Sequence, residues 1–149
     1  MAGFLSRFRH RKEQRQLTGE LGEGLWRRAH DRFVRALDRY HQILEGVTDT
    51  GDYNQLAELG NQLADLLPIV RDLCAQCQRE HPSDELTVPN ECRPVHAKLS
   101  SASNALATTA EAAALFRLGQ VPVEQVRFRA ARVEEDVAAA QQAALQHEI

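Results

Sequence analysis

The chain has 149 residues, 26% of them charged and 43% apolar, and its formal net charge is −3 at pH 7. These values exclude a disordered polyelectrolyte, and the length favours one domain with a single core. No stretch contains the roughly 20 consecutive apolar residues of a membrane-spanning helix, and three cysteines do not make a disulfide framework. With no apolar secretory signal in residues 1–16, we expect a cytoplasmic protein, at most peripheral to a membrane.

The N-terminal segment, residues 1–16, is predicted to be a short basic arm. Residues 1–40 sum to +5 and residues 41–149 to −8, so positive charge is concentrated at the start of the chain. Apolar side chains within the arm share one face if it is helical, with basic side chains around them. This combination is typical of a segment that lies on an anionic membrane surface or docks on a partner protein, although a solvated tail can have the same composition. We expect nucleic acid to be a poorer partner. The candidate contact residues, including one aromatic residue of the first helix, are Phe4, Leu5, Phe8, Arg7, Arg9, Arg11, Lys12, Arg15 and Trp26.

Residues 17–149 are predicted to form one helical bundle. The first helix is predicted at about 20–47, because apolar residues from Trp26 onwards recur at alternating steps of four and three. The second helix is predicted at about 52–80, with Asp52 as its N-cap. Pro68 lies inside this second pattern and removes a backbone hydrogen bond, which predicts a kink or break.

The last two helices are predicted at about 95–118 and 122–147. Gly119 ends the first of them, and Pro122 is placed where the opening turn of a helix tolerates proline. Their apolar stripes are rich in alanine, which buries little area, so we expect these helices to pack further against a protein partner or a second copy. Four long helices with short connections predict an all-α fold: an antiparallel up-down-up-down four-helix bundle that carries the short basic arm.

Cysteines and histidines lie on both sides of the loop between the second and third predicted helices. Their spacing falls within the range of structural zinc sites, and zinc is the one cofactor that it suggests. A plainer interpretation is that the first two cysteines lie on the apolar stripe of a helix, where free cysteine packs as a small hydrophobe. A reversible disulfide is a third interpretation. The candidate metal ligands are Cys74, Cys77, Cys92, His96 and His81.

No catalytic constellation is found in the sequence. It has no Gly-rich phosphate loop, no nucleophile elbow and no His-Glu-x-x-His motif. We therefore predict a non-enzymatic helical adaptor that is docked by its basic arm. The alternative is a metal-binding or thiol-sensing bundle that uses Cys74, Cys77, Cys92 and His96.

Overall fold

The computed structural model of the protein describes residues 2–83 and 85–146, and all regular secondary structure within these ranges is helical. The prediction of an all-α fold is therefore confirmed. The ends of the predicted arm and of the last predicted helix, Met1 and His147, lie outside the described residues. The helices are α1 (Ala2–Leu21), α2 (Leu25–Glu45), α3 (Thr50–Ala64), α4 (Leu67–Glu80), α5 (Arg93–Arg117) and α6 (Val123–Gln146), with a short 3₁₀ helix at Asn90–Cys92.

The N-terminal part of the chain differs from the prediction, because a short arm followed by one helix is not what the structure shows. The segment is a 20-residue helix, α1, and a turn separates it from α2. Gly22 in this turn has a φ of 72°, the left-handed conformation that ends many helices and that glycine adopts without steric cost. Residue 16 is therefore a position inside α1, and α2 begins only at Leu25.

The second predicted helix is divided where proline was expected to disturb it. α3 ends at Ala64, and α4 begins at Leu67 with Pro68 in its first turn, so the predicted break is confirmed. Proline fits at this position because the first N–H groups of a helix have no partner within the helix. The N-cap of α3 is Asp49 rather than Asp52. The Asp49 carboxylate accepts a hydrogen bond from the Asp52 amide at 2.9 Å, which satisfies one of the unpaired donors of the first turn.

The neighbouring helices are not all antiparallel. α5 packs mainly against α2 and α6. The start of α2, at Leu25, faces the start of α5, at His96, and near the other end the Arg117 guanidinium donates to the Ile43 carbonyl at 3.2 Å. α2 and α5 therefore run in the same direction.

The contacts of α6 with α3 and α4 are also contacts between parallel helices. Arg127 of α6 donates to the Gln55 side chain of α3 at 3.3 Å, and further along, Gln141 lines one groove with Asp72 of α4. α6 is therefore parallel to α3 and α4. An up-down-up-down order gives these directions, because the helices alternate along the chain, but it places antiparallel helices side by side and does not account for the contact of α2 with α5 or for those of α6 with α3 and α4. Hydrophobic periodicity identifies buried faces and carries no information on which helix covers each face.

The core combines large side chains from α2 with alanines from α5 and α6. Trp26, Phe33 and Tyr40 of α2 are all buried, and the Tyr40 hydroxyl donates to the Leu56 carbonyl at 2.6 Å. α3 approaches this ring closely at Gly60, where a Cβ atom would lie 3.1 Å from Tyr40. The buried alanines let α5 and α6 pack closely against each other; they are Ala102, Ala110, Ala112, Ala113, Ala130 and Ala140. None of the helices in the described ranges is both long and apolar enough to cross a membrane.

Candidate functional site

The C-terminal part of α1, residues 14–21, is packed against the rest of the molecule; we call it the docked end. Leu17 and Leu21 are buried in the core, one helical turn apart. Arg27 of α2 reaches back to donate to the side chains of Gln14 and Thr18. On the side facing α4, Glu20 accepts a hydrogen bond from Arg71 at 2.8 Å. Apolar burial, hydrogen bonds and one ion pair thus fix this end in place.

The N-terminal part of the same helix, residues 3–13, is exposed on every side; we call it the free end. It extends the helix by about 16 Å, at about 1.5 Å per residue. Phe4 is 75% exposed and Phe8 56% exposed, and Leu5 beside them is exposed as well. Large apolar side chains at positions i, i+1 and i+4 share one side of a helix, so the free end has an uncovered apolar patch near its tip.

Basic residues surround this apolar patch. Each of the five predicted basic residues is exposed, and none is in an ion pair within the part of the chain that the structure describes. Glu13 is the one acidic residue among residues 3–16. The basic residues continue the side on which the aromatic residues lie, since Arg11 and Arg15 follow Phe8 at i+3 and i+7. The free end therefore has an apolar tip with positive charge beside it and behind it. Its basic residues are Arg7, Arg9, Arg11 and Lys12, and Arg15 follows at the start of the docked end.

Trp26 is not part of this surface. The structure places its side chain in the core at 0% exposure, where its ring lies edge-on to His96 with 5.8 Å between the ring centroids. Its indole N–H has no hydrogen-bond partner among the described residues. The prediction that Trp26 contacts a partner is therefore corrected: its position on the apolar stripe of α2 places it in the core.

The three cysteines are free thiols, and all three are buried. Burial raises the pKa of Cys74 to about 12, with a smaller contribution from the negative charge of Asp31. Burial also raises the pKa of Cys77 and of Cys92. The thiols of Cys77 and Cys92 are close enough to influence each other's pKa, so the end of α4 and the 3₁₀ helix approach each other at this pair. The thiols are consequently protonated and weakly nucleophilic in the folded protein.

The two histidines of the predicted cluster point to different surroundings. His81 lies at the end of α4, with its Nδ1 3.9 Å from a carboxylate oxygen of Glu91. His96 is half-buried against Trp26, and burial lowers its pKa, assisted by the positive charge of Arg32. Within residues 2–83 and 85–146, no group of three or more His, Cys, Asp or Glu side chains is placed to hold a metal ion. The structure therefore places Cys77 near Cys92 and does not assemble the five candidate ligands around one point.

The docking of α1 on the core was not predicted from the sequence. Leu17, Leu21 and Leu25 are spaced four residues apart, and this spacing is the signal that could have shown a second buried stripe before Trp26. The stripe is short and is interrupted by glycines, so it is weaker than that of α2.

Comparison of the chain with protein-family models, with curated proteins and with solved structures finds no match to any of them.

Proposed function

We propose that this protein is a non-enzymatic helical adaptor that the free end of α1 holds at an anionic membrane surface, on the cytoplasmic side. The observation that supports this proposal most directly is that residues 3–13 are helical although nothing in the described structure covers any side of them. A helix of this length is marginal by itself in water, and its exposed phenylalanines gain nothing there. A surface that takes up the apolar tip and the positive charge accounts for both features.

The energetics favour a peripheral interaction. Full burial stabilises each apolar side chain of the tip by about 1.5–3 kcal/mol, and partial burial at the headgroup level gives less. Each basic residue close to an anionic leaflet adds about 1 kcal/mol. The docked end supplies the helical turns from which the free end extends, so part of the ordering cost is already met in the folded protein. The sum gives reversible binding that weakens as salt screens the charges.

The adaptor part of the proposal rests on the remaining helices. α2, the α3–α4 pair, α5 and α6 contact one another in a closed cycle, which supports a four-helix bundle as the body of the protein. Exposed apolar side chains on α5, α6 and the turn between them, among them Leu118 and Phe128, offer a surface to a protein partner or a second copy. The membrane would then concentrate that partner at one location.

Vesicle flotation tests the proposal. Wild-type protein is expected to float with vesicles of phosphatidylcholine and phosphatidylserine, to stay behind with phosphatidylcholine alone, and to be released by high salt. The double variant Phe4→Ser/Phe8→Ser is expected to lose at least about tenfold in vesicle affinity. Leu86→Ser is the matched control, because Leu86 is comparably exposed and lies in the α4–α5 loop. Equal flotation of the double variant and the wild type would overturn the proposal.

A second candidate function is a thiol sensor, and the proximity of the two buried thiols Cys77 and Cys92 favours it. Hydrogen peroxide would oxidise one thiol to a sulfenic acid with release of water, and the second thiol would displace a further water to form the disulfide. The raised pKa of both thiols makes this slow in the folded state. Peroxide treatment followed by peptide mass spectrometry should then give a Cys77–Cys92 link that Cys74→Ser leaves intact; random pairing of the three cysteines would dismiss the sensor.

A further inference from the structure

A cavity of about 130 Å³ lies between the first turns of α2 and α5. Its lining combines basic and hydroxyl side chains. α2 contributes Arg28 and Arg32, one turn apart, and α5 contributes His96 and two serines. No acidic side chain is among the described residues that line it. The nearby carboxylate of Asp31 is engaged elsewhere, with Arg27 and His30.

Several polar groups at this cavity have no partner within the described protein, and the side chains of Arg28 and Arg32 are exposed. Ser103 is only 4% exposed as a residue, its hydroxyl is not among the fully buried unpaired atoms, and it has no hydrogen-bond partner among the described residues. Arg28 forms neither an ion pair nor a hydrogen bond in the described part of the chain. Arg32 donates one N–H group to the Asn104 side chain, which anchors its guanidinium at the cavity and leaves further N–H groups unused.

We infer that this α2–α5 cavity binds a phosphate-type oxyanion through Arg28, Arg32, His96, Ser100 and Ser103. Two guanidinium groups supply charge-assisted hydrogen bonds in the geometry that phosphate accepts, and the two hydroxyls donate to its remaining oxygens. His96 completes the lining with a ring nitrogen and is held by its edge-on contact with Trp26. The unpaired hydroxyl of Ser103 donates to the oxyanion in this arrangement.

The oxyanion can be free phosphate or the phosphate monoester of a lipid headgroup. The lining residues lie in the first turns of α2, which follows the docked end of α1 directly in the chain. The lipid source rests on the proposed function, whereas the binding of free phosphate does not.

Calorimetric titration with inorganic phosphate tests the site itself. We expect saturable binding to one site by wild-type protein and at least about a tenfold loss of affinity in Arg28→Gln, since hydrogen bonds to a charged group are among the stronger ones. Ser103→Ala should weaken binding by a smaller factor. Arg35→Gln is the matched control, because Arg35 is exposed on the same helix and does not line the cavity. Circular dichroism melts establish that each variant is folded.

The outcome separates the site from unspecific charge attraction. Equal losses in Arg28→Gln and Arg35→Gln, or no saturable binding by the wild type, would overturn the inference. The fluorescence of Trp26, the one tryptophan of the chain, provides a second readout because its ring contacts His96. If calorimetry shows binding in the wild type and the Arg28→Gln variant loses it, the fluorescence change on adding phosphate should disappear in the same variant.

Vesicles distinguish the two sources of the oxyanion. Vesicles with phosphatidic acid present a phosphate monoester, and vesicles with phosphatidylserine of matched surface potential present none. A loss of binding in Arg28→Gln that is confined to phosphatidic acid assigns the site to the lipid headgroup. Equal binding to both vesicles, together with phosphate binding in solution, assigns it to a soluble phosphate. Phosphate binding without any flotation leaves the site in place and removes the membrane proposal.

Discussion

The two ends of α1 belong to one continuous helix and have opposite surroundings. At the docked end, Leu17 and Leu21 are buried, whereas at the free end Phe4, Leu5 and Phe8 are exposed. The difference arises from spacing. The buried leucines are one turn apart and lead into the stripe of α2, whereas the aromatic side is continued by arginines that have no place in a core. Residue type alone therefore does not decide burial, and the apolar groups of the free end are left uncovered by the described part of the chain.

The largest expected difference between the two ends is the change in the free energy of unfolding when a leucine is replaced by alanine. We expect Leu21→Ala to lower the free energy of unfolding by about 2–5 kcal/mol, because Leu21 is 0% exposed and its loss leaves a cavity. Leu5→Ala at the free end should change it by less than about 0.5 kcal/mol, since Leu5 is exposed. Urea denaturation measures both. A Leu21→Ala variant as stable as the wild type would show that α1 is not docked in solution.

A pair of glycines gives a finer comparison. Gly3 and Gly19 both lie within α1, and a Cβ atom at either position would meet no atom within 4 Å. Gly19→Ala should stabilise the protein by about 0.5–1 kcal/mol, because alanine loses less backbone entropy in a helix. Gly3→Ala should raise the helix content of the free end without changing the denaturation midpoint, because that end unfolds independently of the core.

Urea denaturation and amide hydrogen exchange measure these two effects. Exchange at residues 3–13 should be fast in the wild type and slower in Gly3→Ala, while residues 14–21 remain protected in both. A Gly3→Ala variant with a shifted global midpoint would instead show that the free end is coupled to the core.

The sequence predicted the helical class, the buried face of α2 and the break before Pro68, because each depends on neighbours within a few turns. It did not predict that the parallel helices α2 and α5 are neighbours, since amphipathicity defines a buried face without defining the partner. Gly22 and Gly24 are a signal for the end of α1. The predicted first helix nevertheless ran across them, because the periodicity of α2 is strong.

The candidate sites also differ in whether a local sequence pattern is enough to predict them. The exposed apolar and basic residues of the free end follow from the local pattern. The α2–α5 cavity is lined by residues of α2 and by residues of α5 that follow about 70 positions later, such as Arg28 and His96. Only the tertiary packing brings them together. The candidate zinc ligands show the converse. They are near one another in sequence, but Cys74, His81 and His96 have separate surroundings in the folded protein.

The smallest expected effect concerns the ion pair that borders the docked end. Glu20 and Arg71 are only partly shielded from solvent, so a double-mutant cycle with Glu20→Gln and Arg71→Gln should give a coupling of about 0.2–1 kcal/mol. Glu13→Gln is the control for charge alone, because Glu13 is exposed on the free end and acts on Arg71 through its charge. A coupling near zero would mean that the buried leucines and the hydrogen bonds from Arg27 are sufficient to hold α1.

The pH dependence of this coupling has a defined sign. The hydrogen bond from Arg71 lowers the pKa of Glu20 below its usual value of 4.5, and nearby positive charges act in the same direction. The folded protein therefore holds Glu20 ionised at pH values where the unfolded chain begins to bind a proton. The stabilisation is complete above pH 4.5 and declines as the pH falls through the lowered pKa of the folded state. Cycles measured at pH 7 and near pH 3 should thus differ, whereas Leu21→Ala should have a similar effect at both pH values. A coupling that grows on acidification would contradict the assignment of Glu20 as the charged partner, and would leave the buried leucines and the hydrogen bonds from Arg27 as the contacts that distinguish the docked end from the free end.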